Sequence, residues 1–544
     1  MTTPAQEKAA QGAGVVLLTL AAGQFLMALD SSVMNVSIAT VAKDLNTTIT
    51  GIQTAIVLYT LVMAMLMVTG GKIGSIIGRK RAFTIGLVIY CSGSLTTALS
   101  PNLGVLIFGW SFLEGIGAAL IMPAIVALVA GNFPASGRPR AYGMVGAAGA
   151  IAIAVGPLIG GLATTYASWR WVFVGEVFVG AGIVLFSRRI ADAPVQVRSH
   201  LDLLGSLLWA LGMGLAIFGV LRSSEWGWLL PAEGGPSWFG MSPVFWLILG
   251  GGVAIWLFLL HIQRLESAGV EPLVTPSLFR NRQMTSGMVL FFFQFVVMMG
   301  LFFVIPLYLS VALGLSAIDT GIKITPLSIT MLIAAAGIPK FLPAASPRRV
   351  VGLGFAVVIV GIVWLISALD VGASAEIVTG PLLLFGLGMG GLASQLGSVT
   401  VSAVPDEQSP EVGGLQNTAT QFGASLGTAL AGSVLIGALT ASFVTGVTQN
   451  PDVPQAVKDT AATSTELAAG VPFISDADLQ TALEDAGATP EVTQAVLDVN
   501  EQARLDGLRS ALALLALFAV VGLLFTRRLP THQPGAAVAA EGSP

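Results

Sequence analysis

Charge is what this sequence has least of. Of 544 residues, 10% are Asp, Glu, Lys or Arg, while 54% are hydrophobic and mean hydropathy is +0.85. Soluble domains carry about 25% charged residues, so this composition excludes a water-covered globular protein. Cysteine occurs once, at Cys91, which excludes a disulfide framework. No G-x-x-x-x-G-K-[ST] phosphate loop is found, which argues against ATP-driven pumping. The three His are isolated, and neither a His/Cys metal cluster nor a nucleophile elbow is present, so no enzyme chemistry is legible. A basic face for nucleic acid is missing too. The N-terminal MTTPAQEKAAQG lacks a strongly basic region and a clear cleavage site, so the apolar run after it reads as an uncleaved first helix.

Long apolar runs are what the chain has in abundance. About 20 residues of helix cross the roughly 30 Å hydrocarbon core of a bilayer, and such runs recur throughout. Hydropathy and helix breakers predict fourteen membrane helices near 14–38, 51–70, 82–100, 103–130, 141–166, 170–187, 201–221, 243–263, 284–312, 320–340, 349–369, 377–403, 412–440 and 506–526. The fold class is all-α integral membrane. An even number of spans puts both termini on one side. With that side cytoplasmic, only Lys43, Arg170, Arg222, Lys323, Lys458, Arg504 and Arg509 of the 25 cations fall outside, as the positive-inside rule requires. Trp226, Trp228, Trp238 and Phe239 cluster in one predicted outer loop, as an interfacial aromatic belt would. A long polar outer loop spans 441–505, where Ser475 and Thr489 look like helix N-caps.

Glycine-spaced helices recur in two sets of six. The fifth span carries GAAGAIAIAVGPLIGG (146–161), the thirteenth GASLGTALAG (423–432), and inner loops with late cations follow the second and tenth. This divides the chain into an N-terminal bundle (1–190), two added helices with linkers (191–283), a C-terminal bundle (284–527, including 441–505) and a cytoplasmic tail (528–544). Parallel repeats of this kind are a hallmark of secondary transporters.

Four motifs carry a family resemblance: LDSSVMNVSIATV (29–41), GKIGSIIGRKR (71–81), GPLIGG (156–161) and SWRWVFVGEVFVG (168–180). In order and at matching topological positions, they resemble the fourteen-helix drug:proton antiporter branch of the major facilitator superfamily. The resemblance implies two six-helix bundles plus two central helices. It also implies alternating access and export of amphipathic or cationic drugs driven by a proton gradient, with no cofactor. Partners expected on this reading are a small-molecule substrate, protons and the bilayer, for a monomer in the plasma or inner membrane. An endogenous lipid, metabolite or compatible solute is the alternative cargo, and a transport-inactive sensor the alternative class.

The departures from the family pattern are as informative. The Asp of the family's loop motif is Ser75 and its next Arg is Ile76. In the fourth span the family's R-x-x-Q becomes Ser111 and Glu114, next to Trp110, and the Asn of the sixth-span motif is Glu176. A cation is lost and two acids appear. Asp30, Glu114 and Glu176 are therefore candidate proton or substrate groups, with Asn35 beside Asp30. Carboxyls in hydrocarbon are costly unless they face a cavity, find a partner or hold a proton, and a structural hydrogen bond to a neighbouring helix is the competing reading for each. Gln294, Gln395 and Gln421, with Gln416 and Asn417, offer uncharged polar groups, and Tyr308 and Phe291–Phe293 aromatic surface, for an organic ligand. Gly71, Gly78 and Arg79 of the loop, Gly156, Pro157, Gly160 and Gly161 of the fifth span, and Arg170 are candidate gating or packing residues. Small residues and proline permit close, bent helix contacts, although ordinary packing would use them the same way.

Overall fold

The computed structural model describes residues 4–133, 138–192, 200–232, 235–342, 344–404, 409–455, 458, 473–485 and 487–532. The predicted tail beyond 532, and most of 456–472 in the predicted outer loop, lie outside the described residues.

Fourteen long helices are present among the described residues, in the predicted order: α1 (Pro4–Asp44), α2 (Ile49–Ile77), α3 (Arg79–Ala98), α4 (Leu103–Asn132), α5 (Arg138–Tyr166), α6 (Arg170–Ser187) and α7 (Leu203–Trp226). They continue as α8 (Pro243–Ser267), α9 (Arg282–Ala312), α10 (Ala317–Phe341), α11 (Pro347–Ala368), α12 (Thr379–Val401), α13 (Ser409–Gln449) and α14 (Pro490–Phe525). Thirteen helices among the described residues are long and apolar enough to cross a membrane. The remaining one, α3, opens on three cations and ends in Ser and Thr. Its Tyr90, Ser94 and Thr97 side chains have partners inside the bundle.

The predicted 441–505 loop is shorter than expected. α13 runs on to Gln449 and α14 starts at Pro490. At 1.5 Å per residue the 41 residues of α13 extend about 60 Å, twice the hydrocarbon thickness. Hydropathy cannot see a helix that continues into water. The entry to α14 is built from Thr489 as N-cap, Pro490 in the first turn, and i,i+4 bonds from Gln494 to Asp498 and Gln502 to Asp506. Ser475 accepts the N–H of Asp478 at the start of a short helix, Asp476–Asp485, so both predicted caps are present. Arg504, fully buried, donates to both oxygens of Asp476 (2.7 Å each) and to the Ile474 carbonyl, fastening the short helix to α14.

Two helix sets are evident from who packs on whom. α1 lies on α5 and α6, α3 on α4 and α6, and α2 on α4; likewise α9 lies on α13 and α14, and α12 on α10 and α11. The sets meet along two seams, α2 against α13 and α5 against α10. α7 and α8 pair with each other, and α7 covers α2 and α13 together. One face of the molecule carries Asp44 and Arg170; the opposite face carries Gly78 and Lys80.

Candidate functional site

Glycines first decide where α3 and α4 can touch. A Cβ at Gly93 would stand 2.5 Å from Glu114 Cγ and 2.7 Å from the Gly109 carbonyl, and one at Gly117 would stand 2.7 Å from the Gly86 carbonyl. Without those Cβ atoms the helix backbones close to contact, and Glu114 is held inside the first bundle rather than in lipid. Across 107–114 the α4 backbone widens into a π-helical turn that carries Trp110, Ser111 and Glu114. Such widened turns are rare and cluster at functional sites.

The three predicted carboxyls converge there. Asp30 on α1, Glu114 on α4 and Glu176 on α6 are each at most 2% exposed, and one oxygen from each lies within 4.8 Å of the others. Around them stand hydrogen-bond donors. Trp110 Nε1 donates to Asp30 Oδ1 (2.9 Å) and Oδ2 (3.0 Å). Tyr90 and Ser94 donate to Glu176 Oε2 (3.2 and 3.0 Å), while the Thr97 hydroxyl, which bonds the Gly93 carbonyl of its own helix (2.9 Å), lies 3.2 Å from Glu114 Oε1. Glu176 Oε1 and Glu114 Oε2 are buried without a partner. Tyr59 stacks on Trp110 with ring centroids 5.0 Å apart. Among the described residues no Lys, Arg or His forms an ion pair with any of the three.

Magnitudes decide what this cluster can be. Two unit charges 4.8 Å apart repel by about 3.5 kcal/mol at an effective dielectric near 20, and three ionised carboxylates would carry that for each of three pairs. A hydrogen bond to a charged group returns only about 1.5–3 kcal/mol, and desolvation must be met besides. Three bare carboxylates are therefore costly here, and a proton or a cation would relieve the cluster. An inorganic cation fits poorly, because the indole N–H points its hydrogen at Asp30 and the Tyr90 and Ser94 hydroxyls point theirs at Glu176. Protons fit, and the two unpartnered oxygens are where they have room.

The other predicted residues do not join this cluster. Asn35 donates to Ser31 of its own helix (2.7 Å). Ser111, at the position of the family's cation, donates to the Ala55 carbonyl of α2 (2.8 Å). Gln294 Oε1 and the Tyr308 hydroxyl are buried without partners on α9, Gln395 Nε2 reaches Ser394, and Gln421 Nε2 faces Met63 Sδ across the α2–α13 seam. Phe291 and Phe293 are core residues, with Phe292 stacked on Phe422 and Phe293 tilted against Phe518 and Phe525.

The predicted packing residues sit at close contacts. A Cβ at Gly161 would lie 2.6 Å from the Ala317 carbonyl of α10, and Gly321 of α10 rests against the Pro157 carbonyl. Gly156 and Gly160 fit instead against Ser32 and Val33 of α1. A Cβ at Gly71 would be less crowded, 3.4 Å from Pro123 Cβ. Gly78 has φ +103°, the conformation that favours glycine. Arg79 donates to the Ala127 carbonyl at 3.4 Å. Asp192, just after α6, accepts the Lys80 N–H at 3.1 Å, putting a carboxylate at the start of α3 despite Ser75. Arg170 pairs with Asp44, lies 4.4 Å over the Trp169 ring and donates to the Ser100 carbonyl. It ties the ends of α1, α3 and α6.

Sequence reasoning missed the donors Trp110, Tyr90 and Ser94, the neighbouring Thr97, and Tyr59, which stacks on Trp110. The signal was there for α3, since Tyr90, Ser94 and Thr97 recur at i, i+4 and i+7 on one face. Nothing in the sequence pointed the Trp110 indole at α1.

The profile of the Major Facilitator Superfamily matches residues 20–428. Among curated relatives, the tetracenomycin C resistance and export protein of Streptomyces glaucescens is 28% identical over 77% of this chain and 75% of its own length. The riboflavin transporter RibZ of Clostridioides difficile is 26% identical over 78% of this chain and 89% of its own. Among solved structures, an inward-facing, unoccupied bacterial homologue of the human lysosomal transporter Spinster aligns with TM-score 0.59 at 14% identity, covering 97% of this chain and 98% of that one.

Proposed function

The chain belongs to the Major Facilitator Superfamily, and from that premise we propose that it is a proton-coupled exporter of amphipathic organic molecules. A membrane transporter of this family is not an enzyme; what needs proposing is its coupling and cargo. The observation that carries the coupling is the trio Asp30, Glu114 and Glu176, buried with their oxygens within 4.8 Å and with no Lys, Arg or His paired to them among the described residues. A group of that kind takes up and gives up protons when a conformational change lets water reach it. With the termini cytoplasmic, the contacts of α5 with α10 and of α2 with α13 near the Asp44 face close the outer side. The trio would then load from outside in the opposite state and discharge inward, while cargo moves out.

Export of antibiotic-like cargo is supported by the resistance relative, and transport of a metabolite by the riboflavin relative. Purified protein in proteoliposomes loaded with a pH dye, challenged with a panel of cationic, neutral and anionic aromatic compounds, tests both readings. The expected result is compound-dependent proton flux that a protonophore abolishes and that Asp30→Asn, Glu114→Gln or Glu176→Gln weakens at least tenfold. Transport indifferent to the pH gradient would remove the coupling.

A further inference from the structure

The three carboxyls are not equivalent, and the geometry of their donors tells them apart. Trp110 Nε1 lies 2.9 and 3.0 Å from the two oxygens of Asp30. A single N–H shared evenly by both oxygens suits a symmetric carboxylate. A protonated acid would turn one of those oxygens into a hydroxyl, a poor acceptor facing an indole that can only donate. Glu114 and Glu176 are built the other way. Glu176 accepts the Tyr90 and Ser94 hydroxyls on Oε2 and leaves Oε1 buried without a partner, while Glu114 has the Thr97 hydroxyl beside Oε1 and leaves Oε2 buried without a partner. An O–H at Glu114 Oε2 or Glu176 Oε1 would satisfy that atom and could donate to a neighbouring carboxyl of the trio, whose oxygens come within 4.8 Å.

We propose that Trp110 is a positioning residue that keeps Asp30 as the anion of the trio and leaves the exchangeable protons on Glu114 and Glu176. This rests on the proton-coupled reading above. Trp110 thereby replaces the missing α4 cation with a neutral donor: Ser111, at the cation's own position, is turned away to α2, and Tyr59 stacks parallel to the indole, at 10° between ring planes, which fixes its direction. A neutral donor leaves the trio with one uncompensated negative charge when both glutamates are protonated, where a fixed guanidinium would cancel it. The titratable groups facing Asp30 are Tyr59 from α2, Tyr90 from α3, Glu114 from α4 and Glu176 from α6, with Cys91 of α3 beside Glu176. The exchangeable protons sit on the two glutamates, and each one released to water leaves a glutamate carboxylate behind.

Infrared spectroscopy of the purified full chain in liposomes at neutral pH reads the protonated-carboxyl C=O band. Asp30→Asn, Glu114→Gln and Glu176→Gln are compared with Trp110 intact and with Trp110 replaced by benzothienylalanine, which keeps ring shape and stacking but has no N–H. With Trp110 intact, each glutamate variant loses part of the band and Asp30→Asn loses none. With the analogue, Asp30→Asn loses part of it as well. Loss of band in Asp30→Asn with Trp110 intact, or no difference between the two backgrounds, overturns the role of Trp110. Absence of any protonated-carboxyl band sinks the proton reading itself, a distinct failure. Trp110→Phe, checked for folding by its elution and melting profile, repeats the comparison without unnatural chemistry.

Discussion

A hydrogen atom in place of a methyl group at Gly93 is what gives Glu114 its place. The missing Cβ would stand 2.5 Å from Glu114 Cγ and 2.7 Å from the Gly109 carbonyl, and the second of these is backbone that cannot swing aside. Gly93→Ala is expected to destabilise the protein by about 1–3 kcal/mol, as overpacking does, and to lower proton-coupled flux with it. Gly143, where a Cβ meets nothing within 4 Å, serves as control: Gly143→Ala should leave both unchanged. Thermal melting in detergent together with dye-loaded liposome flux checks the pair. The acids themselves were legible in the sequence, because a lone glutamate between Pro101 and Arg138 stands out against apolar neighbours and against the family's Gln. Their convergence was not. It depends on helix rotation about three axes at once, and on donors from α3 and α4 whose directions a linear pattern does not encode.

At the scale of elements, α5 shows how a motif divides its labour. Gly156 and Gly160 face α1 of the same set, whereas Gly161 and Pro157 face α10 of the other. Two substitutions in one motif should therefore fail differently. Gly160→Val crowds the Val33 backbone at 3.0 Å inside a packed bundle, so the expected outcome is a lower melting temperature. Gly161→Val pushes on the Ala317 carbonyl at the seam, so the expected outcome is near-normal melting with the Asp44 face held open. Accessibility of a cysteine at Ile318 to a membrane-impermeant thiol reagent, in a Cys91→Ser background, separates the two. Helix existence and order were readable from hydropathy, but the ends of α13 and α14 were not, since polar i,i+4 pairs and caps rather than apolar runs hold them. Past the membrane, Arg504 is buried while its partner Asp476 is half exposed. Asp476→Ala should cost roughly 1–3 kcal/mol locally, less than for a fully buried pair, and speed proteolysis at the short helix while transport by the bundles persists.

For the whole molecule, the α2–α13 seam is held by a line of contacts with one direction. From the middle toward the Asp44 face these are Gln421 with Met63, Ser425 Oγ with the Val57 carbonyl (3.0 Å), and Gln53 Nε2 with the Thr428 carbonyl (3.2 Å). Gly432 packs against the Gln53 amide and has no Cβ to spare it. On the same helices α7 spans the seam: Trp209 Nε1 donates to the Ala64 carbonyl of α2 (3.3 Å), and Ser223 bonds Ser433 of α13 (2.5 Å). Rocking the two sets apart on the Asp44 face must break the first line and loosen one end of the second. A covalent lock at Gln53 and Gly432 should then arrest the cycle, while one at Ser223 and Ser433, which ties α7 to only one set, should slow it without stopping it. Both double-cysteine variants are made with Cys91→Ser, since Cys91 is the chain's one native thiol. Oxidation is expected to abolish flux in Q53C/G432C and reductant to restore it, with S223C/S433C keeping a measurable fraction under both conditions. Full flux through an oxidised, gel-verified Q53C/G432C cross-link would show that this seam stays shut throughout transport, and the alternating-access cycle would have to run through α5 and α10 alone.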